Sequence, residues 1–303
     1  MTVGSEVGRI ASDRLDRRTI GATIGDVMRL FRSQSRSAPS PVGPTFILLG
    51  ANKGGTTSLW KYLDQHPDVY MSRVKEPMYF TSIPEQSKGG ANDRWRANAV
   101  RTWPEYVKLF EPGRAFSARG EASTGYLRNE QAPARIHDEL PNVQLAAILR
   151  NPFDRALSHY KMYQRLDMEA LTFSEAIEAE LNQPRNVSMH DRRIYLRMGF
   201  YGGSITRYLE YFSQDQLKIY LYEDLETKPM DLMADLYQHV GVDPTFVCDT
   251  STRFNAAPVG TVPEWDADLL GRYLELLEPD LQLVEQLIDR DLASWRRPSS
   301  SPA

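Results

Sequence analysis

Three short apolar runs, each followed by a helical pattern, dominate the distribution of hydrophobic and polar positions along this chain. The runs are Phe46–Leu49, Val143–Leu149 and Leu217–Tyr222. Continuous apolar runs of this length are typical of parallel strands that are buried on both faces. The pattern predicts a helix after each run, at residues 56–65, 152–165 and 228–240. Strands alternating with helices indicate a mostly parallel sheet.

The rest of the pattern divides the chain into one domain and two tails. Residues 1–44 read as an N-terminal tail and linker, because Arg residues alternate there with a few acids and Ser and Pro are frequent from 33 to 44. The pattern allows one short amphipathic helix in this tail, at residues 20–31. Residues 45–297 are expected to form the domain, with closing helices at 263–277 and 281–292. Residues 298–303 are expected to be a disordered tail.

The turn after the first apolar run has the composition of a phosphate-binding loop. Gly54 and Gly55 allow a tight turn in which backbone N–H groups approach an anion. Thr56 and Thr57 add hydroxyl donors at the start of a helix, whose N-terminus attracts negative charge. In the standard P-loop pattern the lysine would stand at position 56, whereas here it is Lys53. The displaced lysine indicates that the loop holds a different phosphate group.

These features together predict the fold class: α/β, a P-loop-like three-layer fold with a central mostly parallel sheet flanked by helices. Apart from the tail of residues 1–44, no internal repeat and no second core is visible in the 303 residues. An extended segment is also expected at residues 115–120. The ligand of such a sheet is expected at the carboxyl ends of its strands.

A second candidate anion site follows the second apolar run. Arg150 stands at the strand end where a nucleotide kinase would usually carry a magnesium-binding acid. An arginine there can bind a phosphate through two parallel hydrogen bonds. Ser158, two turns into the next helix, is expected to reach the same anion. Two anion sites on neighbouring strands imply a nucleotide with phosphates at both ends of its ribose.

The composition limits the kinds of partner and the location that can be expected for this protein. The formal net charge of −4 gives no global basic field for nucleic acid. The single cysteine, Cys248, excludes an internal disulfide. The sequence contains no apolar run of about 18 residues, so no transmembrane segment is expected. It also shows no signal-peptide pattern, which makes a cytoplasmic location the default expectation. The oligomeric state cannot be read from the sequence.

The two anion motifs resemble those of sulfotransferases that use 3′-phosphoadenosine 5′-phosphosulfate (PAPS). Residues 53–57, Lys-Gly-Gly-Thr-Thr, resemble the loop that holds the 5′-phosphosulfate, and Arg150 with Ser158 resembles the 3′-phosphate motif. The resemblance covers most of residues 45–297, and it implies that Arg253 belongs to a loop closing over the cofactor. It further implies that no metal is required and that the product is 3′,5′-adenosine bisphosphate.

Within that family the chain is most similar to the heparan sulfate and bacterial carbohydrate branch. The sequence Lys-Glu-Pro-Met-Tyr-Phe at residues 75–80 matches a glutamate that this branch uses as catalytic base, which assigns that role to Glu76. Lys53 would stabilise the leaving group. Partial burial should raise the pKa of Glu76, and Lys75 would oppose this if it points at the carboxylate. Eukaryotic relatives have a lysine where this chain has Ala122, so a second catalytic cation would have to come from elsewhere.

The resemblance implies an enzyme that transfers a sulfuryl group to a hydroxyl or amine of a carbohydrate, glycolipid, lipid or secondary metabolite. Two alternatives stay open at this point. A P-loop kinase acting on a small metabolite would need a lysine and a magnesium acid where Thr56 and Arg150 stand. A non-catalytic nucleotide-binding protein would not need Lys53 and Glu76 together.

Overall fold

The computed structural model describes residues 42–81, 98–183, 194–252 and 263–299. Five strands form one sheet in this part of the chain: β1 (Phe46–Leu48), β2 (Val69–Met71), β3 (Ala118–Ala122), β4 (Gln144–Leu149) and β5 (Leu217–Leu221). Their order is β2-β3-β1-β4-β5, and every neighbouring pair is parallel. The predicted α/β architecture with a parallel sheet is therefore confirmed.

Helices connect and cover these strands. They are α1 (Thr56–Leu63), α2 (Trp103–Lys108), α3 (Ala132–Glu139), α4 (Pro152–Arg165), α5 (Phe173–Leu181), α6 (Gly202–Leu209), α7 (Tyr222–Thr227), α8 (Pro229–Val240) and α9 (Ala267–Ile288). Short 3-10 turns lie at Glu111–Gly113, Arg197–Gly199 and Ala293–Arg296. Within the described ranges, no helix is both long and apolar enough to cross a membrane.

The central strand β1 sends its side chains into two separate cores. Phe46 and Leu48 pack on one face with residues of α1 and α8. Ile47 packs on the other face with residues of α4, α6 and α9. Because successive side chains of a strand point to opposite faces, an uninterrupted apolar run is what a sheet covered on both sides requires. This arrangement produces the three layers expected from the sequence.

One helix stands where two closing helices were predicted. The predicted break between residues 277 and 281 is wrong, since α9 runs from Ala267 to Ile288 with Pro279 inside it. Proline removes one helical hydrogen bond. The buried stripe formed by Tyr273, Leu277, Leu281 and Val284 nevertheless continues across the proline at helical spacing. Tertiary packing of that stripe maintains one continuous helix.

The neighbouring strands β1 and β4 bring the two predicted anion motifs together. The chain runs from β1 to the β2 and β3 side of the sheet, and then to β4 on the other side of β1. The carboxyl ends of two such strands flank the crevice in which open α/β sheets bind ligands. The predicted division into residues 1–44, 45–297 and 298–303 stays a prediction, because residues 1–41 and 300–303 lie outside the described residues.

Candidate active site

The loop between β1 and α1 lies directly against the end of β4. The Ala51 N–H donates to the Ile148 carbonyl at 2.7 Å. A Cβ atom on Gly54 would lie 2.5 Å from the same carbonyl oxygen, closer than any side chain can approach. Gly55 has a φ of 103°, in the left-handed region that glycine adopts without strain. The two glycines therefore allow the loop to pack closely on β4.

Helix α1 begins without a side-chain cap. Its N-cap residue is Gly55, and no side chain accepts a hydrogen bond from the first turn there. Thr56, which is buried, and Thr57, which is half-buried, are its first two residues. The first N–H groups of a helix have no partner inside the helix, so they can donate to an anion. The predicted phosphate-binding geometry of residues 54–57 is consistent with this helix start.

The Lys53 ammonium group lies in a strongly cationic environment. Its Nζ atom is 3.8 Å from the Met162 sulfur on α4. Burial, followed by the charges of Arg165, Arg150 and Arg155, lowers the pKa of Lys53 to about 8. Desolvation and like charges both disfavour the protonated form. A bound anion would reverse these effects, so the lysine is placed for a negatively charged ligand.

Arg150 follows β4 and approaches the same loop. Its Nη1 atom lies 3.4 Å from the Lys53 carbonyl oxygen. Its guanidinium carbon lies 4.4 Å from the centre of the Tyr222 ring, which is a stacking contact. Among the described residues, the buried Nε atom of Arg150 has no hydrogen-bond partner. Because a buried donor without a partner is costly, Arg150 is suited to donate a hydrogen bond from this atom to a ligand oxygen.

Of the two remaining predicted cofactor residues, the structure describes only Ser158. Ser158 is half-buried on α4, one helical turn before Met162, the residue that contacts Lys53. Residues four apart lie on the same side of a helix, so Ser158 faces the same region as this contact. Arg253 lies outside the described residues.

Glu76 is held by the segment that follows β3. Its carboxylate accepts from the Thr124 N–H at 2.7 Å and from the Thr124 hydroxyl at 3.2 Å. Its own N–H donates to the Ala122 carbonyl at 2.9 Å. The side chain is 16% exposed, and the backbone has a φ of 60°. Glu76 is thus fixed in orientation while its carboxylate stays accessible.

Lys75 forms an ion pair with Glu76. Its Nζ atom lies 2.8 Å from Oε1 of Glu76. It is also among the charges that lower the pKa of Lys53, which places Lys75 and Glu76 near that lysine. The sequence predicts for Lys75 only an effect on the pKa of Glu76. Its direct contact with the carboxylate shows a second cation next to the candidate base.

A fully buried carboxylate, Glu121, lies under the Glu76 segment and was not recognised in the sequence. It accepts from the Ser123 hydroxyl at 2.8 Å and from the Tyr106 hydroxyl at 3.1 Å. The Ser123 oxygen also accepts from the Met78 N–H at 3.3 Å. Burial raises the pKa of Glu121 to about 7, with hydrogen bonds acting in the opposite direction. The Glu-Ala-Ser-Thr sequence at the end of β3 was the signal that could have identified this network.

Comparisons with known proteins agree with this arrangement. Residues 44–245 match the Sulfotransferase family. A sulfotransferase from Alicyclobacillus acidocaldarius, known from a crystal structure, is 34% identical. That comparison covers 84% of this chain and 99% of the other, with a TM-score of 0.74.

Curated relatives are heparan sulfate N-deacetylase/N-sulfotransferases. The mouse bifunctional enzyme 3 is 31% identical over 219 residues, and its human counterpart is 30% identical. The match covers 70% of this chain but only 24% of either relative, so the chain spans about a quarter of their length. Together with the family match over two thirds of the chain, these relationships favour the sulfotransferase interpretation over the kinase and the non-catalytic alternatives. The chain belongs to the PAPS-dependent sulfotransferase family and is an enzyme.

Proposed function

We propose that this enzyme transfers the sulfuryl group of PAPS to a hydroxyl or amine of a carbohydrate, glycolipid or secondary-metabolite acceptor. The observation that carries the proposal is the meeting of two anion-binding elements at the ends of β1 and β4. Arg150 Nη1 lies 3.4 Å from the Lys53 carbonyl oxygen, between the loop and the second strand end. Anion sites this close suit one nucleotide with two phosphate-bearing positions.

The residues present fit this nucleotide. The loop of residues 53–57 offers an ammonium group, uncapped helix N–H groups and two hydroxyls, which suit the 5′-phosphosulfate. Arg150 offers a buried donor without a described partner, and Ser158 and Arg253 are proposed to act with it on the 3′-phosphate. When bound, PAPS supplies an activated sulfuryl group with a phosphate as leaving group. These donors neutralise phosphate charge, so we propose that no metal is required.

Lys53 is proposed to stabilise charge on the leaving oxygen. The loop fixes its backbone at a φ of 67°, in the left-handed region, beside the helix N-terminus. A cation held at the place where negative charge develops lowers the barrier more than a cation free in water. Because binding an anion raises the pKa of the ammonium group, the lysine carries its proton when the ligand is in place.

Glu76 is proposed to accept the proton of the attacking hydroxyl or amine. Thr124 and Lys75 restrain its two oxygens. The carboxylate therefore loses little orientational freedom when the acceptor binds. Lys75 is proposed to remain positively charged beside Glu76 while the proton of the acceptor moves to the carboxylate. General-base catalysis by a positioned side chain typically contributes about 10²–10⁴-fold to the rate.

The names of the relatives support a proposal for the class of acceptor that this enzyme uses. The curated relatives carry heparan sulfate N-sulfotransferase in their names, which favours a sugar amine or hydroxyl among the candidates. A cytoplasmic location likewise stays a prediction, to be checked by cell fractionation. Incubating the enzyme with 35S-labelled PAPS and a panel of glycans, glycolipids and small hydroxylated metabolites, followed by mass spectrometry, identifies the acceptor.

Lys53→Ala tests the proposed chemistry in the same assay. We expect loss of most sulfate transfer, on the order of 10²–10³-fold, because one charge that stabilises the transition state is removed. Lys218→Ala is the matched control, since Lys218 forms an exposed ion pair with Asp235 on the outside of β5. Full transfer by Lys53→Ala would overturn the mechanism. Phosphate transfer from ATP with magnesium, in place of sulfate transfer, would instead support the kinase alternative.

A further inference from the structure

The 3-10 turn Ala293–Arg296 packs against the turn that carries Arg150. The Asn151 side-chain amide donates to the carbonyl of Arg297 at 2.8 Å and more weakly to that of Ser294 at 3.4 Å. The other side-chain atom of Asn151, Oδ1, accepts from the Phe153 N–H at 2.9 Å and caps α4. The residue next to Arg150 is therefore fixed from two directions, and one of them is the segment after α9.

A half-buried carboxylate completes this arrangement. Oε1 of Glu223 accepts from the Trp295 indole N–H at 3.0 Å and from the Asn151 backbone N–H at 3.2 Å. The Trp295 side chain is 1% exposed. One oxygen atom thus links the indole to the peptide unit that joins Arg150 to Asn151. Restraining that peptide unit restricts the directions that the Arg150 side chain can take.

Two tyrosines beside this arrangement contact Arg150 itself. The Tyr201 hydroxyl donates to the Arg150 carbonyl at 2.9 Å. The guanidinium stacks on Tyr222, the immediate neighbour of Glu223. The guanidinium is planar, so stacking on the Tyr222 ring restricts where its N–H groups point.

The segment that carries Trp295 is firmly attached to the domain. Arg296 forms ion pairs with Glu278 at 2.8 Å and with Glu285 at 2.9 Å, both on α9. The hydroxyl of Ser299 donates to Asp154 on α4. Because these contacts hold the residues that follow Trp295, the indole is a fixed donor for Glu223.

We propose that Trp295 and Glu223 are positioning residues that hold Arg150 in the orientation required by the nucleotide 3′-phosphate. The inference rests on the proposed function, because it assumes that Arg150 binds that phosphate. Trp295 acts through Glu223 and the peptide unit after Arg150, and does not contact the nucleotide. Its effect is therefore confined to the contribution that the 3′-phosphate makes to binding.

Calorimetric titration of the full chain with two nucleotides tests this proposal. Adenosine 3′,5′-bisphosphate has the 3′-phosphate and adenosine 5′-phosphate lacks it, so the ratio of their affinities measures that group alone. Trp295→Phe keeps most of the ring volume and removes the indole N–H. We expect the bisphosphate affinity to fall about tenfold, because a half-buried acceptor loses its donor, while the monophosphate affinity stays within about twofold.

Three further variants make the result decisive. Trp265→Phe is the matched control, since among the described residues the buried Trp265 indole N–H has no partner, and it should leave the ratio unchanged. Glu223→Leu removes the acceptor and should reproduce Trp295→Phe. Glu223→Gln keeps an oxygen that can accept both N–H groups and should restore most of the ratio. If Trp295→Phe does not fold, Glu223→Leu compared with Glu223→Gln gives the answer.

The possible outcomes distinguish failure of the positioning role from failure of the proposed function. Suppose the wild type prefers the bisphosphate and folded Trp295→Phe or Glu223→Leu keeps that preference. The positioning role is then wrong and the proposed function stands. A wild type that binds both nucleotides equally would contradict the assignment of the 3′-phosphate site and overturn both proposals. An equal loss for both nucleotides in the variants would indicate a general structural role and would also overturn the inference.

Discussion

The cationic region around Lys53 and the carboxylate region around Glu76 differ in how fully their polar groups are paired. In the first region, Lys53 contacts a thioether, and among the described residues Arg150 Nε lacks a partner. The Nε and Nη1 atoms of Arg155, one turn into α4, also lack described partners. In the second region, Glu76 is bound by Thr124 and Lys75.

This contrast shows two ways of preparing a site. Unpaired buried donors cost stability, and a ligand that supplies the missing acceptors recovers that free energy as binding. A base, in contrast, must be oriented before the acceptor arrives, and its hydrogen bonds do this in the free enzyme. Changes in the cationic region should therefore act mainly on nucleotide binding, and changes at Glu76 mainly on the rate of transfer.

The largest expected effect comes from Glu76→Gln. The amide keeps the shape of the side chain but cannot accept a proton from the acceptor. We expect kcat for sulfate transfer to fall about 10²–10⁴-fold, the range typical of a general base. The affinity for adenosine 3′,5′-bisphosphate should stay within about twofold. Steady-state transfer and calorimetric titration measure the two quantities, and a kcat near that of the wild type would remove Glu76 from the mechanism.

Gly54→Ala should damage the cationic region through its backbone. The new methyl group would lie 2.5 Å from the Ile148 carbonyl, so the loop must move away from β4. We expect the free energy of unfolding to fall by about 1–3 kcal/mol, as for other overpacked sites, together with weaker nucleotide binding. Urea denaturation measures the first effect.

Gly271→Ala is the matched control for this change. Gly271 lies in α9 with no heavy atom within 4 Å of the added methyl group. Alanine should stabilise that helix by about 0.5–1 kcal/mol. Equal unfolding free energies for the two variants would show that the close approach of the loop to β4 does not require glycine.

The pH dependence of nucleotide binding should reveal Lys53. Its pKa is about 8 in the free enzyme, and a bound anion raises it. Below pH 8 the lysine is already charged, so affinity should change little. Above pH 8 binding must take up a proton, and the affinity for the bisphosphate should fall by up to about tenfold per pH unit.

Titrations between pH 7 and 10 avoid the second ionisation of phosphate, which lies near pH 6. Lys53→Arg is the control, because a guanidinium stays charged throughout this range. It should bind the bisphosphate with nearly constant affinity. An equally flat profile for the wild type would contradict the role of Lys53.

The smallest expected effect concerns stability in the carboxylate region. The pKa of Glu121 is raised to about 7, above its value in the unfolded chain, so the folded state holds a proton that the unfolded state releases. This contribution is fully present below about pH 4.5 and is lost as the pH rises through 7. Glu121→Gln cannot titrate, so relative to the wild type it should gain about 1 kcal/mol between pH 5 and pH 6. Urea denaturation at both pH values checks this, and parallel curves would contradict the prediction.

Much of the fold was predictable because the apolar runs are buried on both faces. The bounds of α4 agree with the predicted helix at 152–165. Strand β2 was missed since its three residues, Val69–Met71, are too short for a periodic signal. Helix α9 was predicted as two helices because Pro279 is a strong local signal for a helix end. The stripe of buried residues that continues past the proline outweighs this signal in the folded protein.

The site was predictable where function resides in a local motif. Residues 53–57 and Arg150 each carry their signal within a few positions, and the order of a parallel sheet brings them together. The partners of Glu76 could not be found in this way. The contact with Thr124 depends on how β3 pairs with its neighbours, and the contact between Trp295 and Glu223 joins residues that are distant in sequence.

The link between Asn151 and the segment after α9 also has a consequence for biosynthesis. The Asn151 amide and the Arg297 carbonyl that it binds are separated by 146 positions in the chain. A ribosome delivers roughly 5–20 residues per second, so Arg150 is made many seconds before Trp295 emerges. During that interval the sheet can form, but the arginine still lacks the contacts that orient it. The nascent chain therefore completes the arrangement that orients Arg150 only after its last segment has emerged.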